Sequence, residues 1–132
     1  MPENKYPCPC CGYLVFQAPP GSSEKCEICF WEDDVAQLRF PAMAGGANGV
    51  SLLSAQKNFE RFGASQEEHR SKVRPPGSGD LRDPVWRIIN PYLDNMDDFI
   101  PWSGGEANYP DGEMTALYYW RETYWRKQSA GS

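Results

Sequence analysis

Apolar residues recur at helical spacing in one stretch of the chain. Leu52, Ala55, Phe59 and Phe62 fall at i, i+3, i+7 and i+10, which predicts a helix over 50–62 with one buried face. Ser51 stands where an N-cap belongs, and Gly63 suits the C-terminal cap. Tyr13-Leu14-Val15-Phe16 is a short strand-like run closed by a Pro19-Pro20-Gly21-Ser22 turn. Ser65-Gln66-Glu67-Glu68 matches a capping box, so a second, polar helix is expected to about Lys72, where Pro75 stops it. His69, the one histidine, is expected on its exposed side. Val85-Trp86-Arg87-Ile88-Ile89 reads as a short strand or a helical turn, and residues 90–112 as irregular. Residues 113–127 read best as a helix, with Leu117, Trp120 and Tyr124 on one face and Tyr118 and Trp125 on the next.

Between these elements lie turns and loops. Glycine and proline account for 12 residues each of 132, so much of the backbone is irregular. Met43-Ala44-Gly45-Gly46-Ala47-Asn48-Gly49 reads as a tight turn, with an anion seat at the following helix start as the alternative. It lacks the Gly-Lys-Ser/Thr ending of a phosphate-binding loop. Glu32-Asp33-Asp34 reads as a solvated acidic turn, with a hard-cation site as the alternative. Pro75-Pro76-Gly77-Ser78-Gly79-Asp80 is the one obvious linker. It divides a module over 1–76 from an acidic, aromatic-rich extension over 77–132 that is expected to pack on it, since neither part is large enough for a generous core.

Five cysteines, Cys8, Cys10, Cys11, Cys26 and Cys29, crowd into the first 29 residues. An odd count in a chain whose first residues show no signal-peptide pattern argues against a disulfide framework. Cys8-Pro9-Cys10-Cys11-Gly12 and Cys26-Glu27-Ile28-Cys29 are two Cys-x-x-Cys pairs, 14 residues apart. Each such turn sets two sulfurs on one side of a tight loop, and two turns close a tetrahedron around zinc. The expected ligands are Cys8, Cys11, Cys26 and Cys29. Four thiolates leave no open coordination position, so the Zn2+ is expected to be structural. Gly12 can take the left-handed conformation that the turn requires. Cys10 is expected to point away from the metal and to pack or be partly exposed, with replacement of a neighbouring ligand as the alternative. Phe30 and Trp31 are expected to shield the centre from water.

Three groups of residues give a family resemblance. They are Tyr6-Pro7-Cys8-Pro9-Cys10-Cys11-Gly12, then Cys26-Glu27-Ile28-Cys29-Phe30-Trp31-Glu32-Asp33-Asp34, then Gly45-Gly46-Ala47-Asn48-Gly49-Val50-Ser51-Leu52. Together with Asn58-Phe59-Glu60-Arg61-Phe62-Gly63-Ala64 and Val73-Arg74-Pro75-Pro76, these resemble the bacterial cysteine-rich CPCC domain family over about residues 6–76. The resemblance implies a small zinc-binding bacterial domain; it does not imply an enzymatic activity. It also links the chain to secreted-toxin loci, as a candidate immunity protein.

Charge narrows the partners. Lys and Arg number 13 against 18 Asp and Glu, a formal net charge of −5, which opposes nucleic-acid binding. From Ile88 to Glu113 there is no Lys or Arg. Asp94, Asp97, Asp98, Phe99, Trp102, Glu106 and Tyr109 lie in that stretch, an acidic and aromatic set suited to a basic protein partner such as a toxin domain, with a solvated loop whose aromatics turn inward to the core as the alternative. An alternative is a zinc-ribbon adaptor that touches nucleic acid through Arg121, Arg126 and Lys127 with Tyr124 and Trp125. No Ser-His-Asp pattern, open metal site, phosphate-binding loop or dinucleotide fingerprint stands in the sequence, so an enzyme is not expected. Mean hydropathy is −0.66 and no run approaches membrane-spanning length, so a cytoplasmic location is expected. The expected fold is small α+β: a four-cysteine zinc ribbon, then short helices, then an irregular aromatic-rich part.

Overall fold

A computed structural model of the chain describes residues 5–96, 109–110 and 112–125. The architecture is small α+β. Strand β1 (Tyr6–Pro7) pairs antiparallel with β2 (Leu14–Phe16), with Tyr6 opposite Phe16, Pro7 opposite Leu14, and an irregularity between them. Helix α1 (Val35–Arg39) and helix α2 (Leu52–Phe62) follow. Two 3₁₀ helices, Glu67–Lys72 and Met114–Leu117, complete the regular structure of the described residues.

Helix α2 forms where the apolar spacing predicts it. The Ser51 hydroxyl accepts from Ser54 N, and Gly63 ends the helix in the left-handed region at φ 76°. Helix α1 was not expected. Asp34 caps it by accepting from Ala36 N and Gln37 N, so the acidic run is a helix start. Asp33 is buried and accepts from the Ser22 backbone and hydroxyl. Two of the three carboxylates are therefore internal acceptors, which corrects the solvated-turn reading. The glycine-rich loop is a turn, and its amides are spent internally. Ala47 N donates to Asp34 Oδ2, Asn48 N to Gln37 Oε1 and Gly49 N to Gln66 Oε1. A Cβ on Gly46 would lie 2.6 Å from Asp34 Oδ2, so a protein carboxylate sits where an anion would.

The expected second helix is a 3₁₀ helix without a side-chain cap. Ser65 is drawn instead onto the cysteine knuckle, donating its N–H to Cys29 O, and its hydroxyl is buried without a partner. His69 is half-buried with its ring 4.5 Å from Phe30, not fully exposed. Residues 85–89 form neither strand nor helix. Asp83 turns the chain there by accepting from Val85 N at its carboxylate and from Trp86 N at its carbonyl.

The long C-terminal helix is also corrected, to the single 3₁₀ turn at Met114–Leu117. Leu117, Tyr118, Tyr119 and Trp120 are all buried. Four consecutive buried side chains exceed what one helix face can turn inward, so the backbone leaves helical geometry. Tyr118 stacks on Trp120 with ring centroids 4.9 Å apart, and Tyr119 meets Trp120 edge-on at 4.8 Å. Their polar tips are bonded: Trp120 Nε1 donates to Asp83 Oδ2, which also pairs with Arg121 at 2.8 Å. One core joins these residues to the five cysteines, Phe16, Trp31, Leu38, Leu52 and Ile89.

Contacts cross the expected boundary at 76/77. Tyr13 bridges to Arg82, Leu14 N donates to Leu81 O and Asp83 N donates to Gly12 O, so residues 81–83 lie along the edge of the small sheet. Arg74 fastens the linker, pairing with Asp80 at 2.7 Å and with Glu27 of the second cysteine pair.

Candidate metal centre

The two Cys-x-x-Cys turns have the same backbone wiring. In the first, Gly12 N donates to Cys8 O and Cys8 N to Tyr13 O. In the second, Phe30 N donates to Cys26 O and Cys26 N to Trp31 O. The residue after each second cysteine is left-handed, Gly12 at φ 83° and Phe30 at φ 71°. A phenylalanine there costs roughly 1–2 kcal/mol that glycine avoids. The turns thus share one conformation, although only the first carries the glycine that announces it.

This wiring brings Cys8, Cys11, Cys26 and Cys29 together. Their sulfurs all lie within 4.8 Å of one another, and every one of the four residues is fully buried. Cys8 and Cys29 sulfurs are 3.6 Å apart, and Cys11 and Cys26 sulfurs 3.7 Å. A tetrahedral ion with metal–sulfur bonds of about 2.3 Å requires sulfur–sulfur edges of about 3.8 Å. A disulfide requires about 2.05 Å, and all five cysteines are free. The donor set and its spacing therefore fit a thiophilic ion, and the four cysteines together can hold one.

One thiolate sits among protonated thiols in the cluster. Burial pushes the Cys8 and Cys29 thiols up. Thiol donors from Cys11, Cys29 and Cys8 hold Cys26 far down, as the thiolate the others surround. Ile28 N and Cys29 N also point at Cys26 Sγ, each at 3.4 Å. Cys10 is buried and lies outside the four-sulfur group, with its thiol hydrogen-bonded to Cys29. The partial exposure considered for it does not occur. Trp31 is fully buried beside the centre, while Phe30 is half-buried.

Residues from later in the chain hold the first turn. Trp86 lies over Gly12 so closely that a Cβ there would meet its ring at 2.6 Å. Trp86 Nε1 and Gln56 Nε2 both donate to Pro9 O, and Arg82 Nε donates to Cys11 O. The Arg82 guanidinium sits 4.8 Å from both the Tyr13 and Trp86 rings. Sequence reasoning missed these supports. One signal was present: Gln56 occupies the i+4 position of the Leu52 stripe, a polar residue on a buried helix face.

The expected partner face is placed only in part. Asp97, Asp98, Phe99, Trp102 and Glu106 lie outside the described residues. Asp94 is turned to Arg87, with both carboxylate oxygens accepting at 2.8 and 2.7 Å, and also accepts from Asn90 N. Tyr109 is half-buried and meets Phe40 edge-on. Of the alternative basic patch, Arg121 is spent on Asp83, and Arg126 and Lys127 lie outside the described residues. No helix among the described residues is long and apolar enough to cross a membrane.

No curated protein matches the sequence. The family model described as Cysteine-rich CPCC matches residues 6–80, which takes in both cysteine turns, α1, α2 and the first 3₁₀ helix, and stops just short of Arg82 and Trp86. With its four buried sulfurs drawn into one cluster and a match over more than half its length, the chain belongs to the Cysteine-rich CPCC family.

Proposed function

We propose that the four cysteines hold one Zn2+ as a structural element and that the protein acts without catalysis, by binding another protein. The observation that carries the first part is the complete burial of four thiols whose sulfurs all lie within 4.8 Å of one another. Zinc held by four thiolates has no position for water or substrate, so it supplies cross-linking and not Lewis-acid chemistry. In small peptides such a site contributes about 10–16 kcal/mol of apparent binding free energy. Here it would tie together two turns that share very little regular secondary structure.

The binding role rests on charge. A net charge of −5 and the Lys- and Arg-free stretch from Ile88 to Glu113 favour encounter with a basic surface. An immunity protein that blocks a bacterial toxin in the cytoplasm is the reading that joins this chemistry to the family. The test is affinity capture with the zinc-loaded chain beside a variant reversed in charge at Asp97 and Asp98. Stoichiometric recovery of one basic protein by the parent chain, lost in the variant, is the expected result. Recovery of nucleic acid, or recovery unaffected by the reversal, would overturn the reading.

A further inference from the structure

Gln56 is a polar side chain in the middle of the core, 3% exposed, on the face of α2 that is otherwise apolar. All of its hydrogen-bonding atoms are used. Its Oε1 accepts from Ile89 N at 2.8 Å. That bond fixes which way the amide faces, and so directs Nε2 to two acceptors. One is Pro9 O, inside the first cysteine turn, and the other is the Tyr119 hydroxyl, each at 2.9 Å. The Tyr119 hydroxyl passes its own proton on to Arg87 O. One side chain therefore links the Cys8–Cys11 turn to residues 87–89 and to the buried C-terminal aromatics.

We propose that Gln56 is a positioning residue for the metal centre: through Pro9 it holds the Cys8–Cys11 turn in its ligating shape, and through Tyr119 it makes metal retention depend on the C-terminal half of the chain. The proposal rests on the zinc reading above. The physical reason is the rigidity of the turn. The Pro9–Cys10 peptide plane lies between the two ligating positions Cys8 and Cys11, and its carbonyl receives two side-chain donors, Gln56 and Trp86. Losing one donor lets the plane rotate, and with it the separation of the Cys8 and Cys11 sulfurs. Outer contacts that orient metal ligands commonly set affinity by factors of about 10 to 100. Asp83 and Arg82 anchor the far end of the turn at Gly12 O and Cys11 O, so the effect of Gln56 falls on the Pro9 end.

The experiment measures the rate at which the full-length, zinc-loaded protein yields zinc to excess chromogenic chelator, well below the unfolding temperature. Gln56→Leu keeps the side chain's bulk and removes all three bonds. Tyr119→Phe keeps the ring and removes only the hydroxyl link. Leu117→Ala weakens the same core without touching the network. Gln56→Leu should release zinc about tenfold faster and Tyr119→Phe roughly threefold faster, with Leu117→Ala close to the parent rate. Unchanged release in Gln56→Leu would overturn the proposal. So would Leu117→Ala acceleration matching Gln56→Leu at an equal loss of Tm, since release would then follow global stability. If Gln56→Leu does not fold, Tyr119→Phe decides: a parental rate overturns the coupling. A parent chain that binds no zinc would fail at the first measurement, and the zinc reading would fall with it before any variant is compared.

Discussion

Gly12 and Phe30 occupy equivalent places in the two cysteine turns but reach the left-handed region for different reasons. Gly12 has no side chain because Trp86 fills the space where one would stand. Phe30 carries a half-buried ring that lies against His69, with Lys25 Nζ 4.9 Å from its centroid. Gly12→Ala should therefore suffer twice, from φ 83° and from the Trp86 ring. We expect a loss of at least about 1–2 kcal/mol from the backbone alone, read as a lower Tm of the zinc-loaded protein. An unchanged Tm would mean that Trp86 is not seated on the turn. The grouping of Cys8, Cys11, Cys26 and Cys29 and the left-handed Gly12 were legible in the sequence, because spacing and glycine chemistry are local. The left-handed Phe30 was not, since nothing local favours an aromatic there and only the shared wiring of the turn imposes it.

Among the elements, α2 was legible from end to end because its cap, apolar stripe and terminal glycine agree. Ser51→Ala should cost about 1 kcal/mol by orphaning Ser54 N, measurable in denaturant unfolding of the zinc-loaded chain with an unchanged m-value. The elements that were not legible are those where long-range contacts outbid local preference. Ser65 fits a capping box but gives its backbone N–H to Cys29 O, so the polar segment becomes a 3₁₀ helix. Residues 113–127 have helical spacing, yet four adjacent side chains are needed in the core at once. Helix α1 is not announced locally, because Asp34 stands as one of three adjacent charges and acts as a cap only through its contacts with Ala36 N and Gln37 N.

For the whole molecule, the four-cysteine cluster is built by distant parts of the chain. The sulfurs come from the first 29 residues, while the carbonyls around them are held by residues 56, 65, 82, 83 and 86. No pairwise pattern in a single sequence announces such contacts. A pH dependence follows from the buried thiols. Burial pushes Cys8 and Cys29 up, so near neutral pH both hold protons that a metal must displace. Apparent zinc affinity should rise with pH, by about tenfold per unit for each proton displaced, in chelator competition from pH 6 to pH 8. A flat profile would mean that the thiols are already ionised.

The most direct test of the central claim is metal content with Co2+ as a spectroscopic replacement, followed by far-UV circular dichroism after chelation. We predict one metal per chain, the intense visible bands of tetrahedral cobalt thiolate, and collapse of the folded spectrum when the metal is removed. A chain that folds equally well without metal, or a cobalt spectrum of octahedral, water-bound character, would contradict a closed four-cysteine centre that holds the fold together.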